Sequence, residues 1–382
     1  MRSSHYDYII SGGGMAGLSL AYYLNQSRLR TKKILIVDRE QKNKNDRTWC
    51  FWEKGESAFE SIVHRHWQKV WFHGTNFSEW LNISPYQYKM IRGIDFYTFV
   101  HANLTQNPNI TFLYCNIQDV SDEGVVTDFG TFSADWIFDS TYRLQLNQPQ
   151  NHNLLQHFKG WVVKTPSPAF DPTQATMMDF RIDQGGDCRF FYVLPSSTNE
   201  ALIEYTLFSE HLLSASEYDE ALKNYFDKYL DLKEYEVLQE EFGIIPMTDE
   251  PTQEHPSGRV VRIGTAGGST KPSTGYTFMR TQRNLQEMVE NLVDFGEPFR
   301  WKEPLKKRFY WYDSIFLHVF EQKLHPPKDI FTCLFKRNRA AKVFQFLDEE
   351  TPFPSEFLLM ATLPIKPFLK GLAGVISRKM FG

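Results

Sequence analysis

The stretch from Tyr6 to Asp38 constrains the fold more than any other part of the chain. Tyr6-Asp7-Tyr8-Ile9-Ile10 is a short β-rich run that passes directly into Ser11-Gly12-Gly13-Gly14-Met15-Ala16-Gly17, then into a helical pattern carried by Leu18, Ala21, Tyr22 and Leu24. This is G-x-G-x-x-G with a strand before it and a helix after it, the context in which the motif has meaning. Gly12 allows the tight turn, Gly14 lets the backbone approach a pyrophosphate, and Gly17 permits close packing of helix on strand. The amides at the helix N-terminus supply the positive end that binds phosphate. A second strand, Lys33-Ile34-Leu35-Ile36-Val37, ends at Asp38, where a carboxylate accepts hydrogen bonds from ribose hydroxyls. The reading is a dinucleotide-binding start.

The fingerprint alone does not separate FAD from NAD. A second segment favours FAD: Val260-Val261-Arg262-Ile263 reads as a strand running into a glycine-rich loop, Gly264-Thr265-Ala266-Gly267-Gly268, with Gly275 further on. An amphipathic helix follows, with Phe278, Leu285, Met288, Val289 and Leu292 among its apolar positions. Gly264, Gly267 and Gly275 are therefore candidates to bring backbone amides to the flavin end of the cofactor or its phosphates.

At 382 residues the chain suits two lobes rather than one core. The net charge of -4, with both signs mixed and no long basic block, excludes nucleic acid as an expected partner. Cys50, Cys115, Cys188 and Cys333 are scattered without disulfide or zinc spacing, which fits a reducing cytoplasm. His64 and His66 alternate like ligands but lack a third, and no metal is expected. Aromatic residues make up 15%, 32 of them Phe, an abundance that suits core packing and also a long apolar ligand. No run of about twenty apolar residues predicts a spanning helix.

Motifs further along resemble those of the lycopene cyclases, a family within the FAD-dependent superfamily that includes aromatic hydroxylases. They are Thr48-Trp49-Cys50-Phe51-Trp52; Phe191-Tyr192-Val193-Leu194-Pro195 followed by Ala201-Leu202-Ile203-Glu204-Tyr205-Thr206; Gly243-Ile244-Ile245-Pro246-Met247; and Lys271-Pro272-Ser273-Thr274-Gly275-Tyr276. The order is most similar to the bacterial beta-cyclase type. The resemblance implies an α/β fold in which a Rossmann-type FAD-binding domain is interleaved with an α+β substrate domain and followed by a helical C-terminal region. It also implies FAD used in its reduced form, NADPH as electron donor, and lycopene or another acyclic carotenoid as substrate. The acyclic ends would be closed into beta-rings, giving gamma- and beta-carotene, without net oxidation or reduction.

Such chemistry needs an acid to protonate the terminal double bond, and Glu204 is the expected catalytic proton donor: a carboxyl in an apolar stretch stays protonated more readily. Arg92, in Ile91-Arg92-Gly93, either stands where the superfamily begins a helix with an arginine near the flavin or is a surface arginine. Asp139, ending the strand Trp136-Ile137-Phe138, either lines the nucleotide crevice or caps a turn. Trp49, Phe51, Phe191, Tyr192 and Tyr276 either stabilise cationic carbon or form core. The chain departs from the family pattern at Thr265, where an acid is common; at Tyr205, where a second acid usually follows the glutamate; and at Lys271, which replaces a histidine and adds a cation near the flavin.

The expected division places residues 1–80, 105–150 and 255–290 in the FAD lobe, 81–104 and 150–254 in the substrate lobe, and 291–382 in a helical region reading as helix from Trp301 onward. Its last segment mixes Phe357, Leu358, Leu359, Phe368, Leu369, Leu372, Val375 and Ile376 with Lys366, Lys370, Arg378 and Lys379. That pattern predicts peripheral association with the inner face of the cell membrane, the alternative being a terminal helix docked on the protein. The rival activity is an FAD-dependent monooxygenase or reductase acting on an apolar isoprenoid-like substrate; the non-enzymatic rival is a carotenoid-binding flavoprotein.

Overall fold

The structure, a computed structural model, describes residues 5–143, 146, 148–299 and 307–381. The expected helix start at Trp301 lies outside the described residues. The first sheet grows from the N-terminal fingerprint. Strand β1 (His5–Ser11) pairs in parallel with β2 (Ile34–Asp38) and β11 (Gly130–Asp139), while β8 (Ile110–Tyr114) adds beyond β2 and β17 (Val260–Arg262) beyond β11. A hairpin of β9 (Ile117–Ser121) and β10 (Gly124–Thr127) pairs with the first half of β11. The central strands are apolar on both faces because both are covered. Ile10, Ile34 and Ile36 meet the helices α1 (Met15–Gln26), α2 (Gly93–Leu104) and α4 (Phe278–Phe295), while Ile9, Leu35 and Val37 fill the opposite core. All five apolar positions expected on α4 are buried.

The second sheet has seven strands in the order β16-β12-β15-β14-β13-β5-β6. They are β5 (Lys69–Gly74), β6 (Phe77–Asn82), β12 (Asn153–Lys164), β13 (Ala175–Asp179), β14 (Cys188–Pro195), β15 (Glu200–Ser209) and β16 (Glu236–Thr248). A three-stranded sheet of β3 (Thr48–Lys54), β7 (Tyr86–Arg92) and β4 (Arg65–Trp67) completes the strands. One face of the large sheet carries α3 (Ala215–Tyr225). The aromatic face is covered by α5 (Lys307–Glu321), α6 (Pro327–Arg337), α7 (Ala340–Leu347), α8 (Phe353–Met360) and α9 (Ile365–Phe381).

Two segments depart from the expected division. Strands β5 and β6, expected in the FAD lobe, extend the substrate sheet, because Val70 and Phe72 share a buried face that only the aromatic core covers; Phe72 lies 4.8 Å from Phe335 and 5.9 Å from Phe180 between ring centres. Helix α2, expected in the substrate lobe, buries Phe96, Val100 and Leu104 in the core beneath the cofactor sheet.

The C-terminal region is fastened by charge. Glu356 on α8 is fully buried and takes two 2.7 Å bonds from Arg308. Helix α9 crosses α5 with Gly374 over His318, which bonds at 2.9 Å to His152, itself held by Asp249. Arg378 reaches Glu321 at 2.7 Å and Lys379 reaches Asp249 at 3.1 Å. These two bases therefore turn inward to acids of the protein instead of facing lipid, and only Lys366 and Lys370 of the expected four lie exposed. Among the described residues no single helix is long and apolar enough to cross a membrane; α8 and α9 together meet the length and composition, bent by 117°.

Candidate active site

A cavity of about 430 Å³ runs between the two large sheets. Its walls include Gly14, Met15 and Ala16 at the N-terminus of α1 and Glu204 on β15. At the α1 end the backbone is shaped by what its glycines leave out. Gly12 holds φ +97°, and a Cβ on Gly17 would overlap the Gly12 carbonyl oxygen, so helix and turn touch backbone to backbone. At Gly14 the opposite holds: no atom lies within 4 Å of a Cβ placed there. Helix α1 has no side-chain cap among the described residues and no acid in its first turn, and its leading residues Met15 and Ala16 line the cavity. Helix α4 likewise begins uncapped by a side chain at Thr277 and Phe278, which line the same space. Two helix N-termini aimed into one cleft fit a pyrophosphate-bearing dinucleotide.

The remaining candidates divide. Gly264 and Gly275 line the cavity, whereas Gly267 turns back against the Arg262 carbonyl and faces a smaller pocket. Asp38 ends β2 as expected but spends its carboxylate on protein amides, accepting from Gly13 N–H at 2.6 Å and Glu40 N–H at 2.8 Å. Arg92 does not reach the cavity. It sits before α2 and grips Asp95 through bonds of 2.6 and 2.8 Å, a pairing of residues three apart at a helix start. The bases that do line the cavity are Lys42 and Arg47, which the sequence reading passed over. Lys271 is also not a free cation near the flavin: it is buried between Asp313 at 3.0 Å and Glu349 at 2.9 Å, tying the late loop to the helical region. Asp139 accepts from the Thr141 amide and hydroxyl, the turn role of its two readings.

Glu204 faces the cavity, which leaves it partly accessible while protein surrounds it on every side. Burial pushes its carboxyl well above the ordinary value; repulsion from Glu241 adds to this and a 2.6 Å bond from the Thr206 hydroxyl opposes it. Glu241, on β16, is the residue the sequence reading missed. It is raised too, chiefly by burial, with the Thr48 hydroxyl at 2.9 Å pulling the other way. Strand alternation offered a signal, since Glu241, Gly243 and Ile245 share one face of β16. Tyr205 points to the opposite face, its ring stacked 4.9 Å from Phe191, so the missing second acid of the motif removes nothing from this cavity. Of the five aromatic candidates, Trp49, Tyr192 and Tyr276 line the cavity, while Phe51 stacks on Phe278 and Phe191 on Tyr225 in core clusters.

A second, mostly apolar cavity of about 610 Å³ lies beneath α5 to α9. Tyr192, Thr274 and Tyr276 belong to the walls of both, and the Tyr276 hydroxyl lies 3.3 Å from that of Tyr88. Its far wall includes Phe357, Ile365, Leu369 and Leu372 from α8 and α9.

A family model described as lycopene cyclase protein matches residues 7–373. The chain belongs to the lycopene cyclase family. It is 26% identical over 295 residues to a lycopene beta-cyclase of Pseudescherichia vulneris, covering 71% of this chain and 70% of that relative. Solved structures with the same fold include a geranylgeranyl bacteriochlorophyll reductase-like protein from Thermoplasma acidophilum, with TM-score 0.59 and 11% identity over 99% of this chain and 97% of that one. A flavin-dependent brominase superposes with TM-score 0.56 and 14% identity over 98% of both chains. A tryptophan 6-halogenase from Streptomyces toxytricini gives 0.52 and 12%, covering 99% and 97%. This family member therefore has a Rossmann-type flavoprotein fold with a helical C-terminal region.

Proposed function

We infer that this member of the family is a lycopene beta-cyclase that binds FAD in the cleft between the α1 and α4 N-termini and protonates its substrate from Glu204. The observation that carries the reading is the position of Glu204. It is a carboxyl with a raised proton affinity on the wall of the cavity that the α1 and α4 N-termini also line, and Tyr192, Thr274 and Tyr276 join that cavity to a large apolar one. The α1 amides and Gly14 would hold the pyrophosphate, with Lys42 and Arg47 adding positive charge at the rim. Reduced FAD bound there supplies negative charge beside a developing carbocation. NADPH is the electron donor that the family resemblance suggests.

The polyene of an acyclic carotenoid suits the apolar cavity, with one end passing Tyr192 and Tyr276 toward Glu204. The Glu204 proton adds to the terminal trisubstituted double bond and leaves a tertiary cation. The neighbouring double bond attacks it, a six-membered ring closes, and a proton lost from a ring carbon forms the new alkene. Protons given and taken balance, so no oxidant or reductant is consumed. The faces of Trp49, Tyr192 and Tyr276 can each stabilise cationic carbon by ~0.5–2 kcal/mol. Expression in lycopene-accumulating bacteria, with pigments separated and weighed by mass spectrometry, tests this. Products of unchanged mass bearing beta-rings are expected; a gain of oxygen or hydrogen would favour the monooxygenase or reductase.

Peripheral membrane attachment has its support on α8 and α9. Phe357, Leu358, Ile365 and Leu369 are 63, 61, 59 and 60% exposed, and Lys366 and Lys370 lie among them. This pattern suits shallow insertion into an anionic leaflet, from which a lipid-dissolved substrate would reach the apolar cavity. Replacing those four apolar residues by Ser is expected to weaken binding to anionic vesicles more than ~100-fold, since each large apolar side chain contributes ~1.5 kcal/mol or more. Unchanged co-sedimentation would remove the membrane from the account.

A further inference from the structure

Glu204 and Glu241 are on strands that do not touch. Strand β12 runs between β15 and β16, and both glutamates register with the same residue on it, Gly160. Strands two apart lie about 10 Å apart, and their side chains would ordinarily be separated by the one between them. At Gly160 there is none. A Cβ there would stand 3.0 Å from Leu202 Cδ1, 3.1 Å from Glu241 Cγ and 3.4 Å from Glu241 Oε1, in the space the two carboxyls share.

The hydrogen-bond inventory then requires a proton. Glu241 Oε2 accepts from Thr48 and Glu204 Oε1 accepts from Thr206. Glu241 Oε1, over Gly160, is buried and has no amide or hydroxyl donor among the described residues. The group that shares the position over Gly160 with it is the Glu204 carboxyl, and two carboxyls bond only if one carries a proton. Thr48 and Arg47 favour the anion on Glu241, opposed by Asp46, whereas Glu204 has Thr206 alone. The proton therefore belongs on Glu204. The other titratable groups facing the pair, Cys50, Tyr192 and Tyr276, are raised by burial and stay neutral.

We propose that Glu241 is the positioning partner of Glu204, holding one proton with it across Gly160 and making Glu204 the group that takes the proton back after ring closure. The proposal rests on reading Glu204 as the acid. Once Glu204 has given its proton to the double bond, two carboxylates face each other in a buried space. Repulsion makes Glu204 a stronger base than an isolated buried carboxylate, ready for the proton that the ring carbon must lose. Each turnover starts and ends with one proton on the pair.

The test uses FAD-loaded protein and two readouts. Initial rates of cyclisation in lycopene-bearing liposomes are followed against pH, and infrared spectroscopy follows the protonated carboxyl band over the same pH range without turnover. In Glu241→Gln the rate is expected to fall about 100-fold. The alkaline limb of the rate and the loss of the carboxyl band should both move to lower pH, because the negative charge that holds the proton on Glu204 is gone. Gly160→Ala, which keeps both acids and forces them apart, should move both in the same direction and serves if Glu241→Gln does not fold. A purely structural Glu241 would scale the rate equally at all pH values. An unmoved carboxyl band in folded, flavin-loaded variants overturns the proposal. A wild type that shows the band and its shift but cyclises nothing would instead overturn the cyclase reading.

Discussion

Glu204→Gln is expected to lower cyclisation by about 1,000-fold, within the span that general acids contribute, while leaving a folded protein with a full complement of flavin. Glutamine keeps the shape and can still accept from Thr206 but has no proton of the required acidity to give. The variant should also be the more stable protein at neutral and alkaline pH. The wild-type carboxyl has a folded-state proton affinity above its unfolded one. Between those two values the native state binds more protons than the unfolded state, so stability falls as pH rises. The slope is about 1.4 kcal/mol per pH unit per group, full stability being present only below the unfolded value near 4.3. Removing the acid removes that slope. Thermal melts across pH with activity measured alongside check both halves; an active variant, or one that loses stability more steeply at high pH, would speak against an acid at this position.

Gly14→Asp is expected to abolish flavin binding without unfolding the chain. Open space surrounds the position, so the side chain fits. Gly14 is also the residue before α1, whose N-terminus has no side-chain cap, and Asp there caps a helix as well as or better than Gly, by a few tenths of a kcal/mol. The carboxylate would occupy the anion site and repel a pyrophosphate. The purified variant should be colourless, with the melting temperature of flavin-stripped wild type or slightly above it. Retention of stoichiometric FAD would mean the cofactor lies elsewhere.

The sequence made the cofactor sheet legible because its signals are local. The Gly12 to Gly17 turn, the apolar run of β2 and the helical periodicity of α4 each lie within one contiguous segment. What it hid depends on pairing between distant segments. Val70 and Phe72 announce a strand with one buried face, but not that the face belongs to the aromatic core. Lys271 reads as a cation at a cofactor loop until Asp313 and Glu349 arrive from far along the chain. Arg92 was within reach of the sequence, since Asp95 three residues on at a helix start predicts their ion pair. The pairing of Glu241 with Glu204 was not, because it exists only through β12 and the missing side chain of Gly160.

The most direct test of the central claim is turnover in heavy water. Purified, FAD-reduced protein equilibrated in heavy water and used in excess over the ends of lycopene in liposomes, so that each site reacts once before Glu204 recovers a ring proton, should add one deuterium per beta-ring formed, at the carbon that receives the proton from Glu204, with no other change in composition. Rings formed without deuterium, or products that gain oxygen or a pair of hydrogens, would contradict an acid-initiated, redox-neutral cyclisation.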